Sequence, residues 1–437
     1  MTSKRSLEDQ WVYTPVHCNA NEEVGSDEMK RNSLVSLMGP VLLALAWLAA
    51  NQFPAATAQG PKESDRQTLV LNRAPVRVIR DQYSSFNGIT MDEERREVYI
   101  ADDNHSKILV YDAEFPPTDR VIEPRRQIAG PQTHLGYICT LAVSPEDQEI
   151  FTVDNDWKDN MTVFPIDAKG NVAPLRELNV DHGAWGIFLD RKHNELFITI
   201  EHAHKISVYS KKAQGKEEPA RFIQGPETGL ADPHGIYVDP ESNEIFVTNH
   251  GHWRKTEVGD KGVIVSFRRP TPSDSIKEFP ASTGKFLPPS ITVYARDAQG
   301  DAKPLRTISG PATRLNLPLG IYQVPGSKQL AVANGGDNSI LFFDRSAAGN
   351  VAPARVLQGS ATGIDGPSGT YVDSKRNELW VTNWNNHTAT VYPSNATGNV
   401  APQRILRSAP KGAPVTGFGN PGGIVYDAKR KEMLVPN

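Results

Sequence analysis

Histidine is the side chain best suited to proton transfer near neutral pH and the commonest metal ligand. Here it gathers in four short segments: DHGAWG (181–186), EHAHK (201–205), DPHG (232–235) and NHGHWR (249–254). Imidazole together with carboxylate is a donor set that borderline ions such as zinc or copper accept, and an open coordination position would permit catalysis. Within these segments Glu201, His202, His234 and His250 are the candidate ligands of a divalent metal, and His234 is the candidate for proton transfer. His182, Trp185, His252 and Trp253 are candidates for touching a bound ligand. No H-x-x-x-H or H-E-x-x-H spacing puts any pair on one helical face. The fold must therefore bring them together, and the competing reading is that these histidines cap strands and bond carbonyls.

The elements that would position them come from a repeat. PHGIYVDPESNEIFVTN (233–249), PSGTYVDSKRNELWVTN (367–383) and PGGIVYDAKRKEMLVPN (421–437) are variants of one phrase. It is two apolar, β-branched runs around a charged tetrapeptide, which reads as a hairpin of strands a and b. A third run follows as KISVYS, SITVYAR, SILFFDR or TATVYPS, and a fourth after a glycine turn, as in GNVAPLRELNV (170–180) and GNVAPARVLQG (349–359). Proline in that fourth strand d requires an edge position. The repeat glycines Gly186 and Gly235 are 49 residues apart, as are Gly320 and Gly369, and Thr140 takes the glycine place in the second unit. A fixed period with four strands per unit means a β-propeller. Starts at Gly88, Thr140, Gly186, Gly235, Gly320, Gly369 and Gly423 predict an all-β, seven-bladed propeller. Its last blade would be completed by TLVLN (68–72) and APVRVIR (74–80), so that strands from both termini close the ring and leave no open edge.

The same geometry sorts the loops. Connections d-to-a and b-to-c share one face, the upper face here, and a-to-b turns share the lower one. His134, His182 and His234 precede or open a strand a, and His105, His202, His204, His250, His252 and His387 follow a strand b, whereas His193 alone sits in an a-to-b turn. Blades 3 and 4 would thus place Glu201, His202, His234 and His250 near the axis. Gly235 to Gly320 spans 85 residues, and the excess is a b-to-c insertion at about 253–289 on that same face, a lid or a decorative loop. Its GVIVSF run (262–267) could add a strand. Asp102, Asp154, Asn249, Asn334, Asn383 and Asn437 recur at the end of strand b and read as side chains bonded to backbone rather than catalysts.

The N-terminus is of another kind. Residues 1–28 are polar and unpatterned, an extension outside the fold. From Met29, Lys30 and Arg31 precede an apolar run, Leu34 to Ala50, and Ala56-Thr57-Ala58 precedes Gln59. That reads as a secretory signal peptide (29–58) cleaved after Ala58, with a signal anchor as the alternative. Secretion or a periplasmic location is expected, without a stable membrane span after cleavage. Residues 59–437 hold 43 Lys plus Arg against 45 Asp plus Glu, a balance that gives nucleic acid no basic surface to bind. Cys139 is the single cysteine of that segment and can form no internal disulfide. Asn104, Asn160, Asn386 and Asn395 open N-x-S/T sequons.

PHGIYVD, IFVTN and LWVTN resemble the NHL-type and YVTN-type β-propeller repeats along essentially the whole segment 59–437. The resemblance implies the fold and leaves the activity open. Gluconolactonase-like propellers hold an axial divalent metal with Glu and Asn/Asp, and their early Glu has no match here. Peptidyl-hydroxyglycine lyases hold zinc with blade histidines on six blades. Streptogramin lyase-like propellers use a histidine base, for which His234 would stand. Two functions are therefore expected: a monomeric binding or scaffold protein taking protein, peptide, glycan or small molecule on its upper face, or a metal-assisted or histidine-based hydrolase or lyase at blades 3 and 4.

Overall fold

The computed structural model describes residues 81–155, 158–255, 284–415, 425–427, 429–430 and 432–434. Six four-stranded antiparallel sheets follow one another. Blade 1 is β1 (Phe86–Asp92), β2 (Glu97–Asp102), β3 (Lys107–Asp112) and β4 (Arg126–Ile128). Blade 2 is β5 (Ile138–Ser144), β6 (Glu149–Asp154), β7 (Asn160–Pro165) and β8 (Arg176–Asn179). Blade 3 is β9 (Ala184–Asp190), β10 (Glu195–Ile200), β11 (Lys205–Ser210) and β12 (Arg221–Ile223). In blade 4, β13 (Pro233–Asp239) and β14 (Glu244–Asn249) are separated by an excursion, β15 (His252–Lys255) paired with β16 (Gly284–Leu287), from β17 (Ser290–Ala295) and β18 (Arg306–Ser309). Blade 5 is β19 (Pro318–Gln323), β20 (Gln329–Asn334), β21 (Ser339–Asp344) and β22 (Arg355–Gln358). Blade 6 is β23 (Pro367–Asp373), β24 (Glu378–Asn383), β25 (Thr388–Pro393) and β26 (Arg404–Arg407).

The propeller has six blades, not the seven that the repeat count predicts. Residues 68–80, assigned to a seventh blade, lie outside the described residues. The C-terminal phrase does form a hairpin, β27 (Val425–Asp427) with β28 (Glu432–Leu434), but as a two-stranded sheet of its own. Closure comes instead from β1 packing directly on β23. One hydrophobic cluster joins Phe86, Val98 and Ile100 of blade 1 to Tyr371, Trp380 and Val391 of blade 6. Once those faces are buried against each other, no gap remains for another blade.

The junctions repeat one device. Thr199, next to last in β10, accepts a hydrogen bond from the Gly186 N–H (2.8 Å) and donates to the His234 carbonyl of the next blade (2.5 Å). Thr248 does the same between Gly235 and Leu319, and Thr382 between Gly369 and Asn87, which closes the ring. The glycines are required by this close approach: a Cβ on Gly186 or Gly235 would lie 2.2 Å from the neighbouring carbonyl oxygen. Blades 1, 2 and 5 carry Ala101, Val153 and Ala333 in the threonine place. In blade 2 Thr140, in the glycine place, supplies the missing hydroxyl, donating to Trp185 O (2.6 Å) and accepting from Ile187 N–H (3.0 Å).

A second device lies toward the lower face. An arginine opening each outer strand forms a two-pronged pair with the glutamate opening strand b: Arg126–Glu97, Arg176–Glu149, Arg221–Glu195, Arg306–Glu244 and Arg404–Glu378. Each arginine also reaches a carbonyl of the following blade, Arg404 reaching Ala113 of blade 1. In blade 5 the partner of Arg355 is Gln329. The prolines placed in strand d by the sequence reading lie just before it, ahead of Arg176, Arg306, Arg355 and Arg404. The outer strand itself can then offer every N–H to its neighbour. The repeated Asx residue at the end of strand b bonds backbone as expected: Asn249 accepts from Ala231 N–H, Asn334 from Asn316 and Asn383 from Asp365. Among the described residues no helix is long and apolar enough to cross a membrane.

Candidate functional site

Blades 3 and 4 bring their upper ends together. β10 stops at Ile200, so Glu201 is the first residue of the turn and stays buried. Gly183, with φ +85°, leaves the space: a Cβ there would stand about 3 Å from the Glu201 and His202 side chains. Glu201 Oε1 accepts from Asn155 Nδ2 of blade 2 (2.9 Å) and lies 3.1 Å from His202 Nε2, while Oε2 lies 3.1 Å from His234 Nε2. Burial pushes the Glu201 carboxyl up, but the hydrogen bond and charge of His234 and the Asn155 amide outweigh it and hold it below its ordinary value.

His234 opens β13 and is almost fully buried. Its Nδ1 bonds Asp232 O (3.0 Å), so both ring nitrogens are engaged. One face meets Trp185, with centroids 4.6 Å apart, and His250 stacks on the ring at 3.4 Å and 19°. Burial, and then the charge of His234, keep the His250 imidazole neutral, well below its ordinary pKa. Its Nε2 is buried without a hydrogen-bond partner. Such an atom is costly unless something occupies it.

Asp232 completes the group. Its backbone is left-handed (φ 62°), held there by its N–H bonded to His204 Nδ1 and its carbonyl accepting the His250 N–H. Strain of this kind persists only where surroundings enforce it. The carboxylate lies beside the edges of the stacked rings, Oδ2 3.7 Å from His250 Nδ1 and Oδ1 4.0 Å from His234 Nδ1. Burial raises its pKa, opposed by His234. One donor atom each from Asp232, His234 and His250 lies within 4.8 Å of the others. Donors about 2.1 Å from a tetrahedral ion sit roughly 3.4 Å apart, so the set needs a small contraction and a splaying of the stacked rings.

Of the residues singled out from sequence, Glu201, His202, His234 and His250 do converge, with Trp185 against His234 and His182 against His202 (5.2 Å). Glu201 stands behind His234, on the nitrogen away from Asp232, rather than among the three grouped donors. His252 is exposed and contacts His204 instead (4.9 Å). Trp253 lies in β15, with its side chain outside the described residues, as is the 262–267 run. Sequence reasoning missed Asp232 and Asn155. Asp232 stood in the quoted DPHG segment, and a carboxylate two residues before a site histidine was the available signal.

No family model matches the chain, and no curated protein matches it by sequence. Among solved structures it is similar to a functionally unknown protein from Desulfotomaculum acetoxidans DSM 771. The identity is 14%, with 74% of this chain and 90% of that one covered and a TM-score of 0.46.

Proposed function

We propose that the chain is a binding propeller acting through its upper face, at a divalent-ion centre formed by Asp232, His234 and His250. The observation that carries this reading is the grouping of those three donors with a carboxylate, Glu201, on the far nitrogen of His234. Metal-ligating histidines characteristically give their second ring nitrogen to such a carboxylate. Two imidazoles and one carboxylate suit zinc or copper. A bound ion would supply Lewis acidity and an open coordination position. Glu201, fixed by Asn155, would orient His234, and Trp185 would shield the ring from water. The open position would take an oxygen of a protein, peptide, glycan or small molecule. It also supports a second reading, a metal-assisted hydrolase or lyase. The phrases PHGIYVD and IFVTN support placing the chain with the NHL/YVTN-type propellers, and the 29–58 segment supports export with cleavage after Ala58.

The test is metal content and zinc or copper titration of the parent and of an Asp232→Ala, His250→Ala double variant. About one ion per chain is expected, with affinity lower by at least roughly 10- to 100-fold in the variant. A metal-free parent that neither ion stabilises against heat would refute the centre. N-terminal sequencing of exported protein should begin at Gln59; retention of Met29 would support an anchor.

A further inference from the structure

The opposite end of the ring holds a cavity of about 810 Å³ that runs along the axis from Trp185 and opens among the a-to-b turns. Its wall is uneven. Two residues past the repeat glycine, blades 3 to 6 place Phe188, Tyr237, Tyr322 and Tyr371, whereas blades 1 and 2 place Thr90 and Ala142. The four rings form an unbroken arc with centroid spacings of 5.2, 5.4 and 4.8 Å. On a sixfold circle the spacing of neighbours equals the radius, so each ring centre stands about 5 Å from the axis.

Their orientation follows from two further observations. Each tyrosine hydroxyl reaches the next blade: Tyr237 donates to Gln323 (2.9 Å), Tyr322 hydrogen-bonds Tyr371, and Tyr371 donates to Glu93 of blade 1 (3.0 Å). The rings therefore lie along the circumference rather than along a radius. Rings lying flat across the channel would be parallel, yet successive planes differ by 78°, 59° and 41°. Those values scatter around the 60° of planes tangent to a sixfold circle. The faces therefore turn toward the axis, opposite the space left by Thr90 and Ala142.

We propose that this channel binds a methylated or quaternary ammonium group, taken in through the lower face and held by the faces of Phe188, Tyr237, Tyr322 and Tyr371. Aromatic faces attract a cation within about 6 Å of the ring centre, most strongly where water is excluded. The mouth is lined by Asp92, Glu93, Glu94, Glu146 and Asp190 and by Arg191, Lys192 and Lys375. Pairing takes up charge of both signs, Arg191 with Glu146, Lys375 with Glu94, Asp92 with Arg95 and Asp190 with Arg296, which leaves Glu93, bonded to the Tyr371 hydroxyl, and Lys192 at the mouth. The site is independent of the metal centre, from which Trp185 separates it.

Calorimetric titration with choline and with its neutral isostere 3,3-dimethylbutan-1-ol tests the proposal on the parent protein. Choline should bind about 2- to 30-fold more tightly, and Tyr322→Leu should remove that preference. If Tyr322→Leu does not fold, by circular dichroism, Phe188→Leu, which breaks no hydroxyl contact, should reduce it. Equal affinities for the two probes, no binding of choline up to about 10 mM, or an undiminished preference in a folded variant would overturn it.

Discussion

Replacing Gln329 by glutamate should stabilise the protein. Five of the six blades pair the arginine of the outer strand with a carboxylate, and Arg355 alone has an amide. With no carboxylate to offset it, burial pulls its guanidinium down from its ordinary value to about 10, equivalent to about 3 kcal/mol against the charged form. Arg355 is only half-buried and a new carboxylate must itself be desolvated, so roughly half of that is recoverable, about 1–2 kcal/mol. For a domain of this size the gain is roughly 2–4 °C in Tm. Differential scanning calorimetry at pH 7 reads it directly. The gain should vanish in a Gln329→Glu, Arg355→Met double variant, which isolates the pair. A paired glutamate has its folded pKa depressed, as at Glu97 and Glu244. The added stability should therefore be present above about pH 4.3 and be lost as pH falls through the folded value. A Tm that is unchanged or lower at pH 7 would refute the reasoning.

Asp103 is fully buried, and burial followed by the charge of Asp102 pushes its carboxyl up to about 8. The folded state then holds a proton that the unfolded chain gives up near pH 4, so stability should fall between about pH 4 and 8 by up to about 1.4 kcal/mol per unit. Asp103→Asn should flatten that slope, read from denaturant midpoints at pH 5 and 8; a parallel profile would contradict it. Gly235→Ala would put a Cβ 2.2 Å from Leu319 O and should cost about 3 kcal/mol or yield no soluble protein. A Tm within a degree or two of the parent's would show that the junction yields. Thr140→Val removes the hydroxyl joining blades 2 and 3 and should cost about 1–3 kcal/mol, measured by urea unfolding.

Strand order, blade period and the face carrying the histidines were legible because each is local or strictly periodic: a hairpin recurs in every blade, and the glycine and the Asx residue each recur in five of the six, Thr140 and Ile200 being the exceptions. The blade number was not. GIVYD and EMLVP do form strands β27 and β28, but whether a hairpin joins the ring depends on what packs against β1, a relation between residues nearly 300 apart. At the site, residue type pointed to Glu201, His234 and His250, since imidazole and carboxylate rarely enter a buried axis without a role. Their separate parts were hidden, because whether Glu201 stands beside His250 or behind His234 is set by ring orientation and by Gly183 and Asn155. The arginine–glutamate pairs were readable in principle. Glu149 to Arg176, Glu195 to Arg221 and Glu378 to Arg404 keep nearly the same separation, one charge of each sign per unit.

The Thr382 bond to Asn87 matches its counterparts in geometry but not in tether. Elsewhere the joined blades are consecutive in the chain, and a junction that opens is drawn shut by a connection of a few dozen residues: Thr199 and His234 are 35 apart, Thr382 and Asn87 295. The longer route runs through all six blades, so no short connection draws this seam shut. Breathing of the ring should therefore start at this seam, with blades 1 and 6 parting while the other five junctions hold. The Gly369 amide, held by Thr382, would then exchange with solvent deuterium sooner than the equivalent amides of Gly186 and Gly235.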